Sequence, residues 1–335
     1  MFVLDCTINI GEYTFKRVND IKIVKSVDLL SDTAMIKMPA SAVFLSNTNG
    51  EERKQLEEEL KAGMPVEITL SYKDVFEKKE FTGYVTHIEP RNHMVTIECE
   101  DVLYHVRKTR INKNFKETTL KEVLTHIISE TNKKLPENAT PVKLASNIAD
   151  INFDNLPLKD KNGAQALKKI VDDYNLRVFI NDKDELYGGL RLTTNINESS
   201  TYNLQTNVVK HNLKYTKEED VNLYVKVIGV KKDNTKVEVI VGDKEEGEQR
   251  TLHYYNISDE EKLKEIGESE LENIKYSGYR GNLTGFLVPH TTRGMKVEII
   301  DEKYPSRNGT YFVPKVTTHF GQSGARRKVE LGAII

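Results

Sequence analysis

Gly63-Met64-Pro65-Val66-Glu67-Ile68 returns near the far end of the chain as Gly294-Met295-Lys296-Val297-Glu298-Ile299. Five of the six positions are identical, in a chain that holds only six Met. The surroundings repeat too. Val85-Thr86-His87-Ile88 begins 22 residues after Gly63, and Val316-Thr317-Thr318-His319-Phe320 begins 22 after Gly294. Each is followed by a turn and an alternating strand, with Val95, Ile97 and Cys99 in one copy and Val329 and Leu331 in the other. Period-2 strands with the same glycine starts place the same side chains inward, so this spacing predicts a duplicated β-domain. Gly63, Met64, Val66 and Ile68 should then match Gly294, Met295, Val297 and Ile299, and Val85 should match Val316.

Bulk properties set the frame. A chain of 335 residues is too long for one small core and suggests two to four domains. Charged residues at 30% and hydrophobic ones at 38% are ordinary for a soluble protein. A net charge of −2 gives no basic field for nucleic acid or an anionic membrane. No apolar run approaches the roughly 20 residues of a membrane helix, so no membrane insertion is expected. Met1-Phe2-Val3-Leu4-Asp5 reads as a strand start, without the basic and apolar regions of a signal peptide. Cys6 and Cys99 sit singly in alternating patterns and read as buried thiols of a reduced compartment.

Outward from the repeated phrase, the chain divides into segments. Residues 1–110 read as strands, with alternation at Ile8/Ile10, Ile21/Ile23 and Val66/Ile68/Leu70. Within them, Glu51 to Lys61, with Leu56 and Leu60 at i,i+4, predicts a short surface helix ended by Gly63. Residues 111–201 change to an α+β pattern. Thr119-Leu120-Lys121-Glu122 is a capping box opening a helix with Val123, Leu124, Ile127 and Ile128 on one face. A second helix is expected over about 163–174, then a hairpin turning at Asn181 to Asp184. Strands return at 202–230 and 286–335, which together should form the second β-domain. Residues 231–285 should form a small α+β insertion, with a helix capped at Ser258-Asp259 and stopped by the glycines at 278, 281 and 285. The fold class is therefore mainly β (α+β): two antiparallel β-domains carrying two smaller α+β parts.

Motifs for chemistry are missing. The eight His are scattered, with no helical metal-ligand spacing and no CxxC. Gly278-Tyr279-Arg280-Gly281 follows a helix, whereas a phosphate loop opens one. Pairs such as Asp172-Asp173 point apart on a helix. Arg326-Arg327-Lys328 reads first as a solvated hairpin flank, with a contact site for an acidic neighbouring protein as the alternative. No catalytic, cofactor-binding or metal-binding residue is assigned. A cell-wall-degrading enzyme would need convergent carboxylates or a metal set, and a glycan-binding module typically leans on Trp, of which there is none.

The closing segment is the most telling. Gly294 to Ile299, then Gly309-Thr310-Tyr311-Phe312-Val313, Val316, Gly321-x-x-Gly324 and Val329-Glu330-Leu331-Gly332 resemble the last β-unit of the baseplate hub proteins of contractile phage tails. These are the phage late control D family, including the hubs of Mu-like and T-even-like phages, related to the N-terminal hub of type VI secretion spikes. The order of segments fits over nearly the whole chain. The resemblance implies two tail-tube-like β-barrel domains per chain and a non-enzymatic homotrimer with pseudo-sixfold symmetry. It implies a hexameric tail tube, a separate trimeric spike and baseplate wedge proteins as partners, with DNA only as passing cargo. It also implies a place in the virion tail baseplate, assembled in the bacterial host cytoplasm. A bacteriocin or type VI-like injection machine is the alternative owner.

Overall fold

The computed structural model describes residues 3–46, 50–136, 139–174, 176–189, 198–230, 235–244, 247–255 and 259–335. The chain is mainly β, and antiparallel pairing dominates. No helix among the described residues is long and apolar enough to cross a membrane.

The first unit contains β1 (Leu4–Ile10), β2 (Tyr13–Phe15), β3 (Asp20–Ser26), β4 (Thr33–Pro39), β5 (Ser41–Ser46), β6 (Gly50–Gln55), α1 (Leu56–Glu59), β7 (Pro65–Tyr72), β8 (Phe76–Arg91) and β9 (Met94–Glu100). Alternation builds it: every second residue of β1, β4 and β7 is buried, among them Ile8, Ile36 and Ile68. The charged stretch 51–61 differs from its expected helix. Its first part, up to Gln55, pairs with β5, and only Leu56–Glu59 is helical. Leu56 and Leu60 are both buried. One turn suffices to bring them inward, and a longer isolated helix there would gain little.

An α+β unit follows, with α2 (Leu103–Lys108), β10 (Arg110–Ile111), β11 (Asn114–Thr119), α3 (Leu120–Asn132), β12 (Lys143–Leu144), β13 (Asn152–Pro157), β14 (Lys161–Asn162), α4 (Gly163–Tyr174), β15 (Arg177–Ile180) and β16 (Glu185–Gly189). Thr119 caps α3 as its sequence foretells. The Glu122 N–H donates to Thr119 Oγ1 at 3.2 Å, and the Thr119 N–H donates to Glu122 Oε2 at 3.0 Å. Leu120, Leu124 and Ile127 then pack with Leu167, Ile170 and Leu186 in one core.

The remainder holds β17 (Ser199–Asn203), β18 (Val208–His211), β19 (Lys214–Thr216), β20 (Leu223–Val230), β21 (Lys236–Val241), β22 (Glu248–Tyr255), α5 (Glu260–Ile274), β23 (Gly278–Gly285), β24 (Lys296–Ile300), β25 (Gly309–Phe312), β26 (Lys315–Gly321) and β27 (Gly324–Leu331). Two expectations are corrected here. β20, assigned from sequence to the second β-domain, pairs instead with β21 and β22, and Val225 and Val227 share a core with Leu263 of α5. The glycines at 278, 281 and 285, expected to stop the helix, lie instead on β23, within a sheet, and α5 has already ended at Ile274. Gly285 sits where a Cβ would lie 2.9 Å from the buried Tyr202 ring, so close packing explains that glycine. Asp259 caps α5 by accepting the Glu261 N–H, while the foretold Ser258 lies outside the described residues.

One sheet joins the units, in the order β18-β23-β27-β26-β3-β4-β9-β8-β7-β1-β2. The joint is β26 against β3, antiparallel from Lys315↔Ser26 to Gly321↔Asp20. A separate sheet, β17-β24-β25, closes over the second unit's core.

Candidate functional site at the junction of the units

The two copies of the repeated phrase occupy matching ladders. Gly63 has φ +93° and donates its N–H to the Val85 carbonyl at 2.8 Å; Val85 returns its N–H to the Met64 carbonyl at 2.9 Å. Gly294 has φ +81°, donates to the Val313 carbonyl at 2.7 Å, and Val313 returns its N–H to Met295 at 3.0 Å. Positive φ is why glycine opens both strands. Val66 and Ile68 then point into the first core, Val297 and Ile299 into the second, all fully buried. Met64 packs at the margin of the first core and Met295 is buried. Val313 takes the hydrogen bonds beside the glycine that Val85 makes in the first copy, while in hairpin register Val85 does match Val316: Cys99 opposite Val85 and Val329 opposite Val316 each stand five residues past the closing turn pair. Strand polarity also differs: β7 is antiparallel to β1, whereas β24 runs parallel to β17. The eight motif residues do not converge on one place; each set orders its own core.

What lies just before the second copy does converge. Arg293 precedes Gly294 where the first copy has Ala62. Its side chain is only 2% exposed, and it pairs with Asp32 at 2.7 Å and Asp182 at 2.6 Å. It also donates to the Ile180 carbonyl. Asp32 sits between β3 and β4, Asp182 in the β15–β16 turn, so one guanidinium binds three units together. Lys25 on β3 reaches Asp182 at 2.7 Å. Asp101 accepts the N–H of Asp32 at 2.7 Å and of Leu103 at 2.9 Å, tying the loop to the start of α2.

A second buried pair stands beside it. Arg327 on β27 meets Glu80 on β8 in a two-pronged contact, Nη2 to Oε1 at 2.7 Å and Nη1 to Oε2 at 3.2 Å. Arg327 also donates to the Thr291 carbonyl at 3.0 Å. Both side chains are at most 2% exposed. The basic run 326–328 is therefore not a uniform flank: its middle residue is consumed inside the molecule, because alternation turns Arg327 inward while Arg326 and Lys328 stay at the surface.

Burial and charge set the electrostatics. Burial would raise the Asp182 carboxyl, but Lys25 and Arg293 outweigh it and hold it well below the usual carboxylate range. Burial raises Asp32 against the pull of Arg293 and Lys25, and burial raises Asp101 with the Asp32 charge adding to the rise. Glu80 lies below its usual value because Arg327's charge and hydrogen bonds overcome desolvation. His290, stacked on Phe76 with ring centroids 6.3 Å apart, is pushed down to about 4 by burial, with Arg327 adding. A small cavity of about 80 Å³, lined by Lys25, Asp32, Glu80, Asp101, Asp182 and His290, lies between these groups. The arrangement holds units in fixed orientation: Lys25, Arg293 and Arg327 each contact a carboxylate of another strand or unit. From sequence, Arg327 stands out only within the basic run 326–328 and Asp182 only within the 181–184 turn, neither as half of an ion pair. For Arg293 the available signal is its replacement of Ala62 just before the repeated phrase.

No protein-family model and no curated protein matches the sequence. Solved structures do. The chain is similar to the 43 kDa tail protein of prophage MuSo2 from Shewanella oneidensis, with TM-score 0.65 and 14% identity, covering 99% of this chain and 100% of that one. A tail protein from Neisseria meningitidis MC58 gives TM-score 0.66 at 11% identity, over 99% and 97%. An Escherichia coli component of the type VI secretion system gives 0.58 at 9% identity, over 97% and 76%. The chain has the fold of these tail and secretion proteins, the fold that its sequence resemblance implied.

Proposed function

We propose that this chain is the structural hub of a phage-type tail baseplate, a homotrimer that joins a hexameric tail tube to a trimeric central spike. The observation that carries the reading is the β26–β3 ladder, by which one chain presents two related β-units side by side in a single sheet. Three such chains offer six units, which match a six-subunit ring on one side and a threefold partner on the other. The two β-units are residues 1–110 and the combination of about 198–216 with 278–335. The α+β unit after residue 110 and the insertion at about 221–275 brace them. The junction charges suit this role, since a symmetry adaptor must keep its two units at one fixed angle. No catalytic residue is assigned. Baseplate wedge proteins as neighbours, DNA as cargo through the channel, a virion tail location and assembly in the host cytoplasm belong to the same reading.

Native mass spectrometry of the full chain mixed with its cognate spike protein tests this. Three copies of each are expected. A stable one-to-one complex, or a dimeric ring, would remove the symmetry-adaptor mechanism. The likeness to a type VI secretion component favours a second reading, a hub of an injection machine of that kind. A spike partner belonging to a secretion system in place of a virion would select it.

A further inference from the structure

β8 and β26 end alike. Each runs into a two-residue turn, closed by Arg91↔Met94 in one and Gly321↔Gly324 in the other. On one side β8 carries β9, as β26 carries β27. On its other side β26 carries β3 over seven residue pairs. The matching side of Thr86–Arg91 carries no strand among the described residues. β7 pairs only as far as Tyr84, and the backbone of Val85 is used by Gly63 and Met64. The missing strand has a counterpart elsewhere in the chain. In the first unit the order is β9-β4-β3; in the second it is β27-β23-β18. β18 thus stands where β3 stands, and its outer side also carries no strand among the described residues. The chain makes this joint once internally and leaves the two halves of another joint open.

We propose that β18 of a second copy of this chain adds antiparallel to the Thr86–Arg91 edge, so that the sheet runs on from chain to chain. The proposal rests on the oligomeric reading above and commits it to one surface. The internal joint fixes the register. Ile97 stands three residues after Met94 and is followed across the sheet by Ile36 and Ile21. Arg327 stands three after Gly324 and is followed by Gly285 and Val208. Val208 therefore takes the place of Ile21, and, past the bulge that skips Val209, Lys210 takes that of Lys22. Since Phe320 faces Ile21, His319 faces Lys22 and Thr318 faces Ile23, Pro90 should face the partner's Val208, Glu89 the partner's Lys210 and Ile88 the partner's His211.

The chemistry agrees. Glu89, which already pairs with the exposed Arg91 of its own strand at 2.8 Å, meets a second cation across the seam, where His319 meets Lys22 internally. Pro90 and Ile88 turn their backbone polar groups away from β9, toward the open edge. Ile88 offers both a donor and an acceptor there, and Pro90 only an acceptor. A proline on an open edge discourages pairing with arbitrary strands, so recognition falls to the matched charge and register. The contact is heterologous, an edge of one kind against an edge of another, and such contacts end only by closing a ring.

Paired cysteines test it. Within one chain residues 89 and 210 lie seven strand steps apart, roughly 33 Å at the usual strand spacing, so a disulfide between them must link two chains. Cys6 and Cys99 are buried and will not interfere. The full chain carrying Glu89→Cys/Lys210→Cys, alone and with the spike protein, should give covalent multimers on a non-reducing gel, and neither single variant should. Glu89→Lys should weaken self-association roughly tenfold by like-charge contact, and Glu89→Lys/Lys210→Glu should restore it. An oligomer of native size whose double-cysteine variant runs as a monomer overturns the seam and leaves the hub reading standing. So does cross-linking by Glu89→Cys alone, which would mean a twofold contact. A chain that stays monomeric both alone and with the spike overturns both.

Discussion

Removing Glu80 should leave the Arg327 guanidinium buried with no counter-charge. Both groups are at most 2% exposed, so water cannot replace the lost partner. Breaking one side of a buried pair costs about 3–5 kcal/mol. Arg327 keeps the Thr291 carbonyl and the Thr318 hydroxyl as acceptors, which places Glu80→Leu near the lower end, about 3 kcal/mol. If the 335 residues unfold together, an unfolding entropy of about 0.7 kcal/mol/K makes this a fall in Tm of roughly 4 °C. The double variant Glu80→Leu/Arg327→Met removes both charges and should recover most of the loss, ending about 1–2 kcal/mol below the wild type because the Thr291 carbonyl loses a donor. Urea unfolding followed by circular dichroism suits a chain without Trp, and the four proteins form a double-mutant cycle. Glu80 lies below its ordinary value in the folded chain. The pair's contribution is therefore present above the unfolded carboxyl value near pH ~4.3 and lost as pH falls through the lower folded value; the double variant should lack that loss. Purely additive single effects, or a Glu80→Leu shift under about 1 °C, would refute the reasoning that this pair joins the two units.

The other expectations are local. Thr119→Ala removes the α3 cap and should cost about 1 kcal/mol, while Leu124→Ala, fully buried, should cost about 2–5; amide hydrogen exchange should show the loss in the α+β unit with β7 and β9 still protected. His290, held down to about 4 by burial, stabilises the fold above its unfolded value near ~6.5, and that contribution is lost as pH falls toward the folded value. His290→Phe should flatten the stability profile across this window, and an NMR titration placing His290 at an ordinary value would contradict it.

Much of the fold was written locally. Alternation at Ile8/Ile10 and Val66/Ile68 decides which face of each strand is buried, because side chains switch faces at every residue. Gly63 and Gly294 announce positive φ, the Thr119 and Glu122 pair announces a cap, and Asn181 to Asp184 a turn; each needs only a few neighbouring residues. The segment 51–61 shows the limit even there, since a strand ladder with Ser41–Ser46 won over helical spacing.

Strand neighbours and ion partners were decided only in three dimensions. β20 reads as one more alternating strand, and nothing within it tells whether it will pair with the second β-unit or with β21 and β22. Arg293 and Asp182 are 111 positions apart, Arg327 and Glu80 are 247 apart. With 49 basic and 51 acidic residues in the chain, sequence alone cannot single out which few are turned inward together. That choice follows from the β26–β3 joint, which brings the second unit's arginines against carboxylates of the other units. Once there, out of reach of water, a charge is tolerated only beside its opposite.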